Sequence, residues 1–132
     1  MPEAPVGRNL RLLGAFWFLR DFQLWIPVWI VYLTFERGFS FTQIAAAESL
    51  YLVGVLALEV PTGAIADRFG RRVSLGLGAI SLASSVTIFA FTTSPAVLFA
   101  SFAWWAVATT LMSGADMALL YDTLKAGGQE HR

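Results

Sequence analysis

The 132-residue sequence contains no cysteine and a single histidine, and each scarcity excludes a class of site. Without cysteine, the chain has no disulfide, no thiolate metal ligand and no cysteine nucleophile. His131 lies in the polar C-terminal tail, and we interpret it as a solvated residue rather than a metal ligand or proton relay. The sequence shows no serine–histidine pair, no cluster of metal ligands and no paired catalytic aspartates. We therefore predict a protein that is not an enzyme and that uses no cofactor and no metal.

Charged residues are also scarce, at 14% of the sequence against 57% hydrophobic residues, and the mean hydropathy is +0.65. Nine basic residues balance nine acidic ones, so the net charge is zero. There is no basic surplus of the kind that indicates nucleic-acid binding. A composition this apolar is typical of an integral membrane protein. We predict an all-α membrane protein whose partners include the lipid bilayer and no nucleic acid.

Long apolar segments predict four transmembrane helices, preceded by a lead of residues 1–9 and followed by a polar tail of residues 122–132. The predicted spans are about 10–34, 41–66, 73–92 and 95–121. The first span is too long for a signal peptide and has no convincing small-residue cleavage site, so we expect it to be retained. Ser40-Phe-Thr-Gln43 has the form of a capping box at the start of the second helix, and Ser94-Pro95 begins the fourth. The third is rich in glycine, alanine and serine, which favours close packing inside a bundle.

The basic residues indicate the orientation of these spans. Of the nine, Arg37 alone lies on one side, Arg20 lies within the first span, and seven share the other side: Arg8, Arg11, Arg68, Arg71, Arg72, Lys125 and Arg132. Because positive loops stay in the cytoplasm, we predict a cell (inner) membrane protein with both termini cytoplasmic.

The connection between the second and third predicted spans, Gly63-Ala-Ile-Ala-Asp67-Arg68-Phe-Gly70-Arg71-Arg72, concentrates charge and glycine. Gly70 supplies the positive φ that a tight turn needs, and Gly63 would let another helix approach closely. A loop built only to anchor the protein would need arginines and no acid. Asp67 therefore predicts an electropositive partner, either a guanidinium or a helix N-terminus.

Five ionisable residues fall within the predicted spans: Arg20, Asp21, Glu48, Glu59 and Asp116. Each costs roughly 2.5–3.5 kcal/mol at the centre of a bilayer, so they are expected to face protein or water. At ~1.5 Å per residue, three of them lie at similar heights of roughly 8–15 Å above the cytoplasmic helix ends, namely Arg20, Glu59 and Asp116.

This common height predicts a shared cavity for substrate or protons, with Asp21 and Gln23 beside it and Arg20 pairing to one or two carboxylates. Two acids near one arginine leave an uncompensated negative charge, which favours Glu59 and Asp116 as a protonation or cation site. The alternative is that the charged groups are structural ion pairs that hold the bundle together. Glu48, nearer the outer end of its helix, fits that alternative better.

The segment from Gly63 to Leu75 resembles the signature between the second and third helices of major facilitator superfamily transporters, with Ile65 where leucine is usual. The stretches Phe18–Trp29 and Ser113–Lys125 resemble bacterial efflux-type members of the same superfamily. The resemblance covers the first four helices of a fold built from two six-helix halves. It implies secondary transport of a small molecule by alternating access. We predict proton-coupled efflux of drug-like compounds, with sugar or metabolite transport as the alternative.

The resemblance also implies a conformational latch loop formed by Gly63, Asp67, Arg68, Gly70, Arg71 and Arg72. In the family, the acid matching Asp67 meets a helix N-terminus of the other half, and the arginine matching Arg71 joins its charge network. We expect the chain to be part of a longer transporter whose remaining helices complete the latch. Two alternatives stay open: a four-helix protein that transports as an oligomer, and a membrane interaction protein without transport activity.

Overall fold

The computed structural model describes residues 6–24 and 26–126, and all the regular structure in these two ranges is α-helical. The helices are α1 Val6–Asp21, α2 Trp29–Phe35, α3 Phe41–Phe69, α4 Arg71–Phe91 and α5 Pro95–Ala126. The predicted lead is already helical from Val6, and helix continues into the predicted tail as far as Ala126. The rest of both segments, including His131 and Arg132, lies outside the described residues.

Within the described residues, three helices are long and apolar enough to cross a membrane: Phe41–Phe69, Arg71–Phe91 and Pro95–Lys125. The prediction of one continuous helix over 10–34 is wrong, because α1 ends at Asp21 and α2 begins only at Trp29. Pro27 lies in the interruption, and proline has no N–H and disfavours helical conformation at the residue before it. At the end of α1, the side-chain amide of Gln23 donates to the carbonyl oxygen of Arg20 (2.9 Å). The four predicted spans are therefore represented by three long helices and one interrupted segment.

Local sequence signals place the starts of two helices correctly. The Ser40 hydroxyl accepts a hydrogen bond from the Gln43 backbone N–H (3.2 Å), and the Gln43 side chain accepts one from the Ser40 N–H (2.9 Å). This confirms the predicted capping box at the start of α3. The predicted start at Pro95 is also confirmed as the first residue of α5.

A single residue, Gly70, connects α3 to α4. Its φ of +95° confirms the predicted need for glycine. Its N–H donates to the carbonyl of Ala66 (3.0 Å), and its own carbonyl accepts from the N–H groups of Val73 and Ser74 (3.1 Å each). The predicted loop is therefore mostly helical: Asp67 lies in the last turn of α3 and Arg71 begins α4.

Helix α5 is the centre of the bundle and packs most extensively on α4 and α3. The small residues of α4 permit this approach. The Ser74 hydroxyl donates to the carbonyl of Leu111 (2.7 Å), and the Ser85 hydroxyl donates to that of Ser101 (2.7 Å). A Cβ on Gly78 would lie 2.5 Å from Cγ of Met112. The predicted close packing of this helix is confirmed.

Two clusters of buried apolar residues hold the bundle. One joins α2, the start of α3, the end of α4 and the start of α5, and comprises Leu33, Phe39, Ile44, Ala47, Phe89, Leu98 and Phe102. The other lies nearer Gly70 and comprises Ala66, Leu75, Ala108, Met112 and Ala115. Outside these clusters, α3 exposes large apolar side chains such as Leu56 (77%) and Val60 (81%). An exterior of this kind fits a hydrocarbon environment.

Candidate functional site

Arg20, in the last turn of α1, binds two carboxylates. Its Nη1 lies 2.8 Å from Oδ2 of Asp116 on α5. Its Nε lies 2.8 Å from Oδ1 of Asp21, and its Nη2 lies 3.2 Å from Oδ2 of the same residue. The predicted pairing of Arg20 with one or two carboxylates is confirmed. This ion pair ties α1 to the central helix of the bundle.

Asp116 is almost fully buried, at 6% exposed, and its carboxylate accepts from three donors in the part of the chain that the structure describes. Besides Arg20, the indole N–H of Trp17 donates to Oδ2 (3.1 Å) and the backbone N–H of Met117 donates to Oδ1 (2.7 Å). A buried carboxylate needs such partners to offset its loss of hydration. The role of Trp17 was not predicted. Its spacing of three residues from Arg20, which puts both on one face of α1, was the available signal.

The two acids that share Arg20 differ in accessibility. The side chain of Asp21 is 64% exposed, whereas that of Asp116 is 8% exposed. With one guanidinium between two carboxylates, the cluster of Arg20, Asp21 and Asp116 carries a formal charge of −1. The accessible part of that negative charge is the carboxylate of Asp21.

These three residues and Gln23 line a recess of about 410 Å³, here called the central recess. Its wall includes Tyr51 and Trp105, whose rings are 5.4 Å apart between centroids. A second recess of about 390 Å³, between α1 and α4, shares Arg20 and Gln23 with it. Both volumes lie in the range typical of small-molecule sites. Four of the five predicted cavity residues are thus brought together: Arg20, Asp21, Gln23 and Asp116.

The fifth, Glu59, lies elsewhere. It is exposed on α3 and lines a smaller recess of about 160 Å³ between α3 and α5, together with Asp67 and Arg71. Ser113 of α5 lines both this recess and the central recess, but Glu59 does not line the central recess and Arg20 does not line this one. The predicted cavity shared by Glu59 and Arg20 is therefore not formed in the described residues. Height along a helix does not specify the direction in which a side chain points.

Among the predicted latch residues, Arg71 is bound to α5, whereas Arg68 and Arg72 are exposed. Arg71 Nη1 donates to the carbonyl of Ala118 (2.6 Å) and pairs with the carboxylate of Asp122, which fixes the start of α4 to the end of α5. Arg68 is exposed, with its guanidinium 5.5 Å from the centroid of the Phe69 ring. Arg72 is exposed.

Asp67 and Gly63 do not have their predicted contacts within residues 6–24 and 26–126. The carboxylate of Asp67 is exposed and makes no hydrogen bond or ion pair with any residue in those ranges. At Gly63, no atom lies within 4 Å of the position that a Cβ would occupy, so the predicted close helix approach is absent there. Both residues line the recess that contains Glu59.

Comparison with known proteins gives one partial similarity to a membrane transporter. The chain is 31% identical over 88 residues to the uncharacterized MFS-type transporter YxaM of Bacillus subtilis (strain 168). The match covers 67% of this chain but only 22% of that protein. No family model matches the chain, and no solved structure matches it. The similarity and the three long apolar helices together identify a membrane protein related to a transporter.

Proposed function

We propose that this chain forms part of a secondary transporter of the major facilitator superfamily, moving a small molecule across the cell membrane by alternating access. The similarity to an MFS-type transporter over 88 residues carries this proposal. Three apolar helices of membrane-spanning length support it. In this proposal the remaining helices of the transporter cover the exposed apolar face of α3, and both ends of the chain are on the cytoplasmic side of the inner membrane.

The central recess is the proposed site of substrate and proton binding. Its charge of −1 favours a cation, and Tyr51 and Trp105 supply aromatic surface of the kind that binds flat hydrophobic cations. Asp21 is the accessible carboxylate. A cationic substrate and a proton therefore compete for the same group, which is the requirement for proton-coupled efflux of drug-like compounds. Binding of either the cationic substrate or the proton to Asp21 also weakens the ion pair between Asp21 and Arg20.

The latch residues are proposed to control access from the cytoplasmic side. Arg71 is already anchored to α5, whereas the exposed carboxylate of Asp67 has no partner in the described ranges. An unpaired acid at a helix end fits a contact made with another part of the transporter. A helix N-terminus supplies the positive partial charge for such a contact.

Transport by membrane vesicles containing the protein encoded by the complete reading frame tests the proposal. With an imposed pH gradient, we expect proton-coupled movement of lipophilic aromatic cations. Asp21→Asn should reduce it about tenfold or more, because a hydrogen bond to a charged group contributes on the order of 1.5–3 kcal/mol. Glu36→Gln is the matched control, since Glu36 is an exposed acid outside the central recess.

Other outcomes would separate the alternatives. Uptake of sugars or small metabolites without cation efflux would favour the alternative substrate class, for which the Tyr51 and Thr109 hydroxyls, 3.2 Å apart in the central recess, offer hydrogen bonds. Failure of the wild-type protein to move any of these compounds would favour a membrane protein without transport activity. Equal activity of Asp21→Asn and Glu36→Gln would refute the proposed site.

A further inference from the structure

Another recess, of about 530 Å³, lies between α1, α4 and α5 at the end of the bundle where Gly70 is found; we call it the basic groove. Its lining includes Arg8, in the first turn of α1, and Arg72, in the first turn of α4. The rest of the lining is mostly apolar and comprises Asn9, Leu12, Leu13, Phe16, Leu75, Leu119 and Thr123. The basic groove shares only Phe16 with the two recesses at Arg20.

Neither arginine of the basic groove forms an ion pair in the described part of the chain. Neither guanidinium forms a hydrogen bond or ion pair with residues 6–24 or 26–126, and no acid lines the groove. Arg72 also lines a neighbouring recess with two acids, Asp67 and Asp122, but it forms an ion pair with neither, and Asp122 is paired with Arg71. Among the described residues the guanidinium groups of Arg8 and Arg72 have no anionic partner, and phosphate oxygens match the geometry of a guanidinium best.

Polar and apolar groups are separated along the depth of the groove. Arg8 lies near the start of α1, and Phe16 lies about 12 Å further along the same helix at ~1.5 Å per residue. Leu13 and Leu75 form a buried floor, at 5% and 8% exposed. A ligand that fits must carry a negative charge at one end and a hydrocarbon chain extending toward the membrane centre.

We propose that the basic groove binds an anionic phospholipid, with its phosphate between Arg8 and Arg72 and an acyl chain along Leu12 and Phe16. Basic pockets between membrane helices recognise anionic headgroups in this way. The charge complementarity selects this occupant over another helix, which would need to bring an acid to the mouth of the groove. The phospholipid would join α1 to α4, two helices that otherwise meet chiefly through α5.

Lipid binding to the 132-residue chain in detergent, measured by native mass spectrometry, tests the proposal. We expect phosphatidylglycerol to bind about 25-fold more tightly than phosphatidylcholine with the same acyl chains, since each arginine near an anionic lipid contributes about fivefold. The double variant Arg8→Gln/Arg72→Gln should lose this preference. Arg11 is an exposed arginine that lies on α1 with Arg8 but does not line the groove. Arg11→Gln should therefore keep the preference for phosphatidylglycerol within about twofold.

Three results would overturn the proposal. Equal binding of both lipids would indicate ordinary hydrocarbon contact. An equal loss for Arg11→Gln would indicate general surface charge rather than a site. Displacement of phosphatidylglycerol by soluble glycerol phosphate would indicate a site for free phosphate.

Cysteine labelling gives an independent test that keeps both arginines. Because the chain has no cysteine, Leu12→Cys introduces a single thiol in the basic groove, and Leu19→Cys places one on the same helix outside it. Both positions are well exposed, at 62% and 71%. Phosphatidylglycerol, and not phosphatidylcholine, should slow maleimide reaction at Leu12→Cys but not at Leu19→Cys. Protection that follows protein concentration instead of lipid would overturn the proposal in favour of a second copy of the chain.

Discussion

At the scale of single residues, Asp116 and Glu59 show how two acidic residues have different environments in this bundle. Asp116 is buried and accepts hydrogen bonds from Arg20, Trp17 and the Met117 backbone. Glu59 is exposed on α3 and lines a different recess. The first carboxylate helps hold α1 on the bundle, whereas the second makes no hydrogen bond or ion pair with the residues that the structure describes.

Replacing each acid by its amide should therefore have different effects on stability. Asp116→Asn keeps an oxygen for Trp17 but removes the attraction to Arg20, which we expect to lower the free energy of unfolding by about 1–3 kcal/mol. Glu59→Gln, the control, should change it by less than about 0.5 kcal/mol, as is usual for surface substitutions. Thermal unfolding of the 132-residue chain in detergent measures both. Similar shifts in the two variants would contradict the structural role assigned to Asp116.

The residues of the charged cluster were only partly predictable from sequence. The sequence predicted a carboxylate partner for Arg20, because an isolated charge in an apolar helix is energetically costly. The exclusion of Glu59 could not be predicted, because it depends on how α3 is rotated against α5. That rotation is decided by packing contacts such as that of Gly54, where a Cβ would lie 2.8 Å from Cβ of Ala106.

At the scale of elements, the contact between α4 and α5 depends on Gly78. A Cβ there would lie 2.5 Å from Cγ of Met112 and 3.1 Å from the backbone oxygen of Ala108. The methionine side chain can move, but the backbone oxygen cannot move without displacing α5. Two residues earlier, Gly76 has no atom within 4 Å of its Cβ position.

We expect Gly78→Ala to destabilise the chain by about 1–2 kcal/mol through overpacking. Gly76→Ala, on the same helix, should be neutral or stabilise it by up to about 1 kcal/mol, since alanine favours helix more than glycine does. Unfolding midpoints of the two variants in detergent provide the measurement. A stabilising Gly78→Ala would show that α4 and α5 do not approach this closely.

Helix ends that are determined by residues close by in the sequence were predictable. The interruption between α1 and α2 was not. Ser40 with Gln43, Gly70 and Pro95 each act on backbone groups within a few residues, so their effects can be deduced from sequence alone. The apolar run from Leu10 to Thr34 is continuous enough to suggest one helix. Pro27 was the contrary signal, but proline is tolerated in many transmembrane helices and so does not by itself predict a break.

At the scale of the whole molecule, Asp67 is expected to matter for transport but not for folding, because its carboxylate has no partner among the described residues. Asp67→Asn removes no contact within the described residues, so insertion and thermal stability of the 132-residue chain should match those of the wild type within about 0.5 kcal/mol. In the complete transporter we expect transport to be lost. Glu36→Gln, an exposed acid near the opposite helix ends, should preserve both properties. Normal transport by Asp67→Asn, or loss of stability in the isolated chain, would contradict this.

The one-residue connection at Gly70 also has a mechanical consequence. Helix α3 has 29 residues and is therefore about 43 Å long. Because only Gly70 lies between the end of α3 and the start of α4, the two helices turn about the same point. Arg71 fixes that point to α5 through its contacts with Ala118 and Asp122. A rigid tilt of α3 by about 5° at this point would displace its far end, at Phe41, by about 4 Å. A small tilt at the charged connection would therefore produce its largest displacement at the other end of α3, near Phe41.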